Sequence, residues 1–347
     1  MTQMEQSPNR LQHNNFDALR LLFAASVCLV HSYELSGFEA LSWARGWMSG
    51  TAVQAFFVIS GFLIFMSYER SSSFASYTSK RIRRIYPAYL AVIMLCAVGL
   101  FAVSRLQASE YFGMALVKYL IANLTFLNFI QQSLPGVFED LRLSAVNGAL
   151  WTIKIEAMFY VAVPVIAYLL KRLGRLPVIV TLYCASLAYT AGMAYMGARS
   201  GSGMYVELGR QLPGQMTYFM AGALLYYYLP VFERYAYALA AVAAAVLIAG
   251  LYAPLWPLQP LALGVVVVFA GLMVRPVLNA ARYGDFSYGF YISHFPIIQL
   301  HLALGWFKAS PWLFLASVLA QTTIASVLLW HGVEKHFLSK RNHYQAG

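Results

Sequence analysis

Residues 18–36 read ALRLLFAASVCLVHSYELS. The run approaches the roughly 20 residues needed to cross a bilayer. It also holds a strong cation, Arg20, and an imidazole, His31. A membrane span rarely tolerates either group without a task. At about 1.5 Å of rise per residue, the two lie roughly 16 Å apart along one helix. One ionisable group is therefore near one membrane face, and the other is deep or toward the opposite face. That reading, a charged and functional membrane helix, sets the class of the whole chain.

Outward from this stretch the pattern repeats. Of 347 residues, 60% are hydrophobic and 11% charged, against about 25% charged in soluble proteins. Hydropathy marks about ten spans: 18–36, 51–68, 86–104, 151–170, 177–196, 212–229, 235–253, 258–274, 286–304 and 312–331. The expected fold class is all-α, a polytopic membrane helical bundle with both termini cytoplasmic. Sixteen of the 24 Lys and Arg residues then lie on the inner side, as the positive-inside rule asks. The net charge of +11 is accounted for by span ends meeting anionic lipid. A nucleic-acid partner is therefore set aside, and the lipid bilayer is the expected surrounding.

The organisation expected is a cytoplasmic segment at 1–17, an integral-membrane region at 18–334 and a basic cytoplasmic tail at 335–347. The longest loop, 105–150, falls outside and suits a lid or an acceptor surface. Within it, 112–130 is apolar but interrupted by Lys118, Asn123, Thr125 and Asn128. Counting it as a span would carry Lys171, Arg172 and Arg175 outside, so it is expected to re-enter or lie at the interface. Cys28, Cys96 and Cys184 sit in apolar spans without pairing or metal spacing, and are expected to be inert core residues. No metal is expected. The first sixteen residues are polar and the first apolar run lacks a small-residue cleavage site, which predicts a retained signal anchor.

Four segments carry chemistry. Lys80-Arg-Ile-Arg-Arg-Ile-Tyr-Pro-Ala-Tyr89 opens the third span. Pro87 suits a first helical turn, which predicts Arg81 and Arg84 at a helix start, where an anion is favoured. Guanidinium groups grip phosphate bidentately; the plainer reading is an anchor on lipid phosphates. Arg20 is expected at the same face. His31 can take a proton near neutral pH, and Glu34, one turn on, faces the same side. Glu156 lies inside the fourth span, which implies a partner or a protonated state. His31 is the expected partner, both being in the outer half. In Gly284-Asp-Phe-Ser-Tyr-Gly-Phe-Tyr-Ile-Ser-His294, Asp285 suits an N-cap or early turn. Ser287, Tyr288, Tyr291 and His294 share one face, which either lines a substrate channel or joins helices by hydrogen bonds. The helix holding Phe56, Phe57, Ser60 and Gly61 reads as packing.

Taken together these segments resemble the acyltransferase-3 family, bacterial integral-membrane acyltransferases acting on cell-surface glycans. The resemblance runs from Phe16 to about Glu334. It rests on Phe16-Asp-Ala-Leu-Arg20 with His31, and on Phe56-Phe-Val-Ile-Ser-Gly-Phe-Leu-Ile64. It continues in Arg81-x-x-Arg84 with Ile-Tyr-Pro-Ala-Tyr89, in Leu150-Trp-Thr-Ile-Lys-Ile-Glu156 and in Ser287-Tyr-x-x-Tyr-x-x-His294. The resemblance implies transfer of an acyl group, usually acetyl, from cytoplasmic acyl-CoA (acetyl-CoA) to a hydroxyl of a glycan or lipid-linked glycan. The location it implies is the bacterial cytoplasmic (inner) membrane. Carried onto this chain, Arg20, Arg81 and Arg84 would handle acyl-CoA, with His31 and Glu156 nearer the chemistry. The C-terminal esterase-like domain of some relatives has no counterpart before Gly347. A transporter or flippase of a lipid-linked glycan would also place polar residues in its spans, but would not depend on acyl-CoA.

Overall fold

The computed structural model describes residues 11, 13–275 and 284–338. Most of the 1–17 segment, residues 276–283 with Arg282, and the basic tail from residue 339 onward lie outside the described residues. The described residues are helical, without strands. The longer helices are α1 (Phe16–Ser36), α2 (Ser49–Glu69), α3 (Phe74–Gly99), α4 (Met114–Leu124), α5 (Trp151–Leu173), α6 (Arg175–Ser200), α7 (Leu212–Tyr227), α8 (Leu229–Ala249), α9 (Gln259–Leu272), α10 (Ser287–Leu304) and α11 (Pro311–Leu329).

Among the described residues, seven helices are long and apolar enough to cross a membrane: α1, α2, α3, α5, α6, α8 and α11. The expected spans at 212–229, 258–274 and 286–304 are helices but do not join that set. α7 has 16 residues and α9 has 14, so both fall short of a full crossing at about 1.5 Å per residue. α10 has length but is rich in polar groups. Every residue from Ser287 to Pro296 is buried, and the helix packs against α1, α3 and α11. The stretch Ser287–Pro296, enclosed by protein, needs no apolar coat, and its polar groups find partners there.

α4, in the 112–130 segment, has 11 residues. It rises about 16 Å, roughly half the hydrocarbon thickness, so it cannot cross as a single helix. It is bound to α3, where the Tyr89 hydroxyl donates to the Asn123 carbonyl at 2.8 Å. The 105–150 loop is accordingly a packed structure, with Tyr111, Leu134, Val137 and Val146 buried.

Two prolines explain two long-range hydrogen bonds. A helix-interior proline lacks the N–H that would bond the carbonyl four residues back. Pro296 frees the carbonyl of Ile292, and the Asn147 side-chain amide donates to it at 2.8 Å. Pro164 frees the carbonyl of Tyr160, and the Tyr77 hydroxyl donates to it at 3.0 Å. The first bond ties the 105–150 loop to α10, and Gln299 reinforces it by donating to the carbonyls of Leu143 and Ala145 at 2.5 and 2.9 Å. The α2–α7 crossing depends on two glycines. A Cβ on Gly61 would strike the Phe219 carbonyl, and one on Gly222 would strike that of Val58. The packing reading of α2 thus has a backbone-to-backbone cause. Cys28 and Cys96 are buried as expected, but Cys184 is exposed; it lies on the face of α6 turned away from the bundle.

Candidate functional site: a polar column along α1 and α10

One end of the column is an ion cluster. Gly284 adopts φ +127°, and a side chain there would run into the Trp330 indole. This bend delivers Asp285 to the start of α10, where its Oδ1 accepts from the Ser287 amide at 3.2 Å and hydroxyl at 2.5 Å. The early-turn role expected of Asp285 is therefore met, but its other oxygen does more. Asp285 Oδ2 accepts from Arg20 Nη1 at 2.9 Å and from Arg84 Nη2. Arg84 Nη1 also faces Glu334 Oε2 at 3.6 Å, an ion pair without a hydrogen bond. Burial by itself would push the Asp285 carboxyl up. Arg20 and Arg84 outweigh that and, with the Ser287 bonds, hold it well below the usual carboxylate range.

Arg20 and Arg84 are thus brought together, as anticipated, yet around a resident carboxylate. Arg81 is one turn away and buried. Its Nη2 donates to Ser67 Oγ at 3.0 Å and its guanidinium lies over the Tyr160 ring at 5.5 Å. The helix start expected near these arginines lies earlier in the chain. Ser73 caps α3 by accepting from the Ser76 amide at 3.1 Å, so Arg81 and Arg84 stand in the helix interior, and so does Pro87.

The other end is a histidine pair. His31 Nδ1 and His294 Nε2 are 2.9 Å apart, and His294 Nδ1 is 2.6 Å from the Tyr291 carbonyl. The partner expected for His31 was Glu156, and the structure corrects this. Glu156 Oε1 accepts from the Tyr160 hydroxyl at 2.7 Å. The reason is depth. α5 begins at Trp151, and it is Thr152 that reaches the Tyr291 hydroxyl, at 2.9 Å. Glu156 is one turn further, about 6 Å along the axis, beyond the histidines. Glu34 does not orient His31 either. It is exposed, and its backbone carbonyl accepts from Arg142 at 3.1 Å.

Between the two ends is a cavity of about 30 Å³, lined among others by Arg20, Phe56, Thr152, Glu156, Ser287 and Tyr291. It is large enough to admit water. Arg20 and Tyr291 both face it, so it extends from the arginine cluster to Tyr291, one turn short of His294. Ser287, Tyr288, Tyr291 and His294 do share one helix, but Tyr288 turns its hydroxyl to the Ile85 carbonyl at 3.0 Å. Glu334 was not singled out from sequence. An acid at the end of an apolar helix, only 2% exposed, requires a cation, and that requirement was the available signal.

The family model of acyltransferase-3 proteins, described as an acyltransferase domain, matches residues 13–331. Nodulation protein 10 of Rhizobium leguminosarum bv. viciae is 27% identical over 358 residues, covering 94% of this chain and 94% of that protein. An O-acetyl transferase of Shigella phage Sf6 is 33% identical over 178 residues, covering 50% of this chain and 52% of that protein. No solved structure matches.

Proposed function

Because the chain belongs to the acyltransferase-3 family, we propose that it is a membrane O-acyltransferase taking an acetyl group from cytoplasmic acetyl-CoA. The proposed acceptor is a hydroxyl of a cell-envelope or secreted glycan, and the proposed location is the bacterial inner membrane. The name of the phage relative supports the acetyl group. The observation that carries the reading is the polar column: cations at one end, an imidazole at the other, and a cavity between them. A diphosphate carrier confined to one side of a membrane needs a cationic grip there. Its thioester must reach a base some 16 Å away along α1.

In the proposed step, His31 takes the proton of the acceptor hydroxyl as its oxygen attacks the thioester carbonyl. The carbon–sulfur bond breaks, and the thiolate leaves with the proton that His31 returns. Arg20, Arg84 and Arg81 serve the phosphates, and Glu156 faces the path between. The thioester arm is wider than the cavity. Phe56 and Tyr291, whose rings meet edge to face at 5.7 Å, would part to admit it.

The test is turnover. Purified protein in lipid nanodiscs is expected to release CoA from acetyl-CoA and label an envelope glycan fraction with radioactive acetyl. A transporter would release none, and that result would overturn the reading. Sidedness follows from the same proposal. In a Cys184→Ser background, Ser72→Cys, in the turn before α3, is expected to react only with reagents that enter the cytoplasm. Ser109→Cys, in the 105–150 loop, is expected to react with impermeant reagents from outside. Reversal of the two would overturn the orientation.

A further inference from the structure

The hydrogen bonds of the histidine pair determine which nitrogens carry protons. The Tyr291 carbonyl can only accept. His294 Nδ1, 2.6 Å from it, must therefore donate. His294 is fully buried, and a second proton would make it a buried imidazolium with no counter-ion among its hydrogen-bond partners, a costly state. Its Nε2 is then a bare lone pair. The atom facing that lone pair, 2.9 Å away, is His31 Nδ1, so His31 Nδ1 carries a proton and donates. The two rings are nearly coplanar, at 11°, with centres 5.2 Å apart. The difference between the two separations is about two ring radii, so the rings meet edge to edge and the N–H bond points along the line of contact. His31 is left with its proton on Nδ1 and a bare Nε2.

We propose that His294 is a positioning residue that holds His31 in the Nδ1–H tautomer, so that His31 Nε2 is the nitrogen presented to the acceptor hydroxyl. This rests on the reading of His31 as the base. His31 Nε2 makes no hydrogen bond among the described residues, and His31 keeps part of its surface exposed while His294 keeps none. When Nε2 accepts the hydroxyl proton, the positive charge is shared with Nδ1–H, whose bond to His294 strengthens as it forms. His294 does not touch the substrate. It fixes orientation and tautomer, the task that a buried acceptor performs behind a catalytic histidine in other hydrolytic and transfer sites. α10 supplies this service with its own backbone, because the Tyr291 carbonyl sets the His294 tautomer one turn earlier. The 105–150 loop keeps that turn in place through Asn147 on the Ile292 carbonyl.

The test has a kinetic arm and a spectroscopic arm on the nanodisc protein. His294→Phe removes the acceptor, and His294→Gln places an amide oxygen near the lost Nε2. His294→Phe is expected to lower kcat by about 10²–10⁴-fold, the scale of a general-base contribution, with the KM for acetyl-CoA nearly unchanged. His294→Gln is expected to recover a substantial part of it. In the second arm, ¹⁵N-histidine NMR of the wild-type protein, with the His31 signals identified by their loss in His31→Gln, is expected to show Nδ1 protonated and Nε2 bare. In His294→Phe the His31 signals are expected to shift toward the Nε2–H form. Wild-type kcat in His294→Phe, or a protonated Nε2 on His31 in the wild type, overturns the proposal. His31→Ala in the same assay separates the two levels. If it is inactive while His294→Phe is normal, the relay alone fails. If it is active, the base assignment fails and the relay with it.

Discussion

His31→Ala is expected to lower single-turnover acyl transfer at saturating acetyl-CoA by about 10²–10⁴-fold, the range for loss of a general base. Expression and membrane insertion should be unchanged, because a small neutral residue suits a span better than an imidazole does. The neighbours of His31 make the variant clean. Its hydrogen-bond partner His294 keeps its bond to the Tyr291 carbonyl, and the edge contact of His31 with Phe295, at 5.3 Å between ring centres, contributes only packing. Single turnover removes product release from the measurement, so the loss reports the chemical step. CoA release should fall in parallel with acceptor labelling if His31 works as a base on the acceptor. Persistent thioester cleavage with lost labelling would instead mean that water replaces the glycan. Full transfer in His31→Ala would show that His31 is a structural group.

The features that could be read from the sequence were those written along one helix. Arg20 and His31 are eleven residues apart, close to three turns, so their shared face on α1 follows from spacing alone. The stripe on α10 was legible for the same reason. Pairings between helices were not. Arg20 with Asp285 and His31 with His294 join residues more than 260 positions apart, and no local pattern encodes such a contact. Depth was also hidden. The expected His31–Glu156 pair assumed that the two side chains share one depth. α5 begins at Trp151, where the span was expected, but it is Thr152 that lies at the level of Tyr291, and Glu156 is a turn beyond it. Hydropathy is a weak guide at α10, because it registers contact with lipid and the stretch Ser287–Pro296 is buried among its neighbours.

Asp285→Asn is expected to be the most destabilising single change in the ion cluster. The substitution keeps size and leaves Arg20 and Arg84 facing each other with no carboxylate between them. Glu334 remains, but it lies 3.6 Å from Arg84 only. Removing one member of a buried ionic group costs about 3–5 kcal/mol, because the opposite charges stay buried and uncompensated. The cost should appear as a lower melting temperature in detergent or nanodiscs. It should also depend on anions. If Asp285 occupies the ground where a substrate diphosphate is proposed to sit, free CoA should raise the melting temperature of Asp285→Asn more than that of the wild type, by linkage to the folded state. The pH dependence has a definite sign. The folded carboxyl is held below its ordinary value, so its stabilisation is complete above the unfolded value of about 3.9 and fades only as pH falls through the lower folded value. Between about pH 5 and 8 the Asp285 carboxyl itself should therefore not titrate, and it adds no pH dependence of its own to the wild-type stability. An unchanged melting temperature in Asp285→Asn would mean that the two arginines are solvated in the membrane protein. An equal response of both proteins to CoA would place the diphosphate elsewhere, with Arg81 the first position to test.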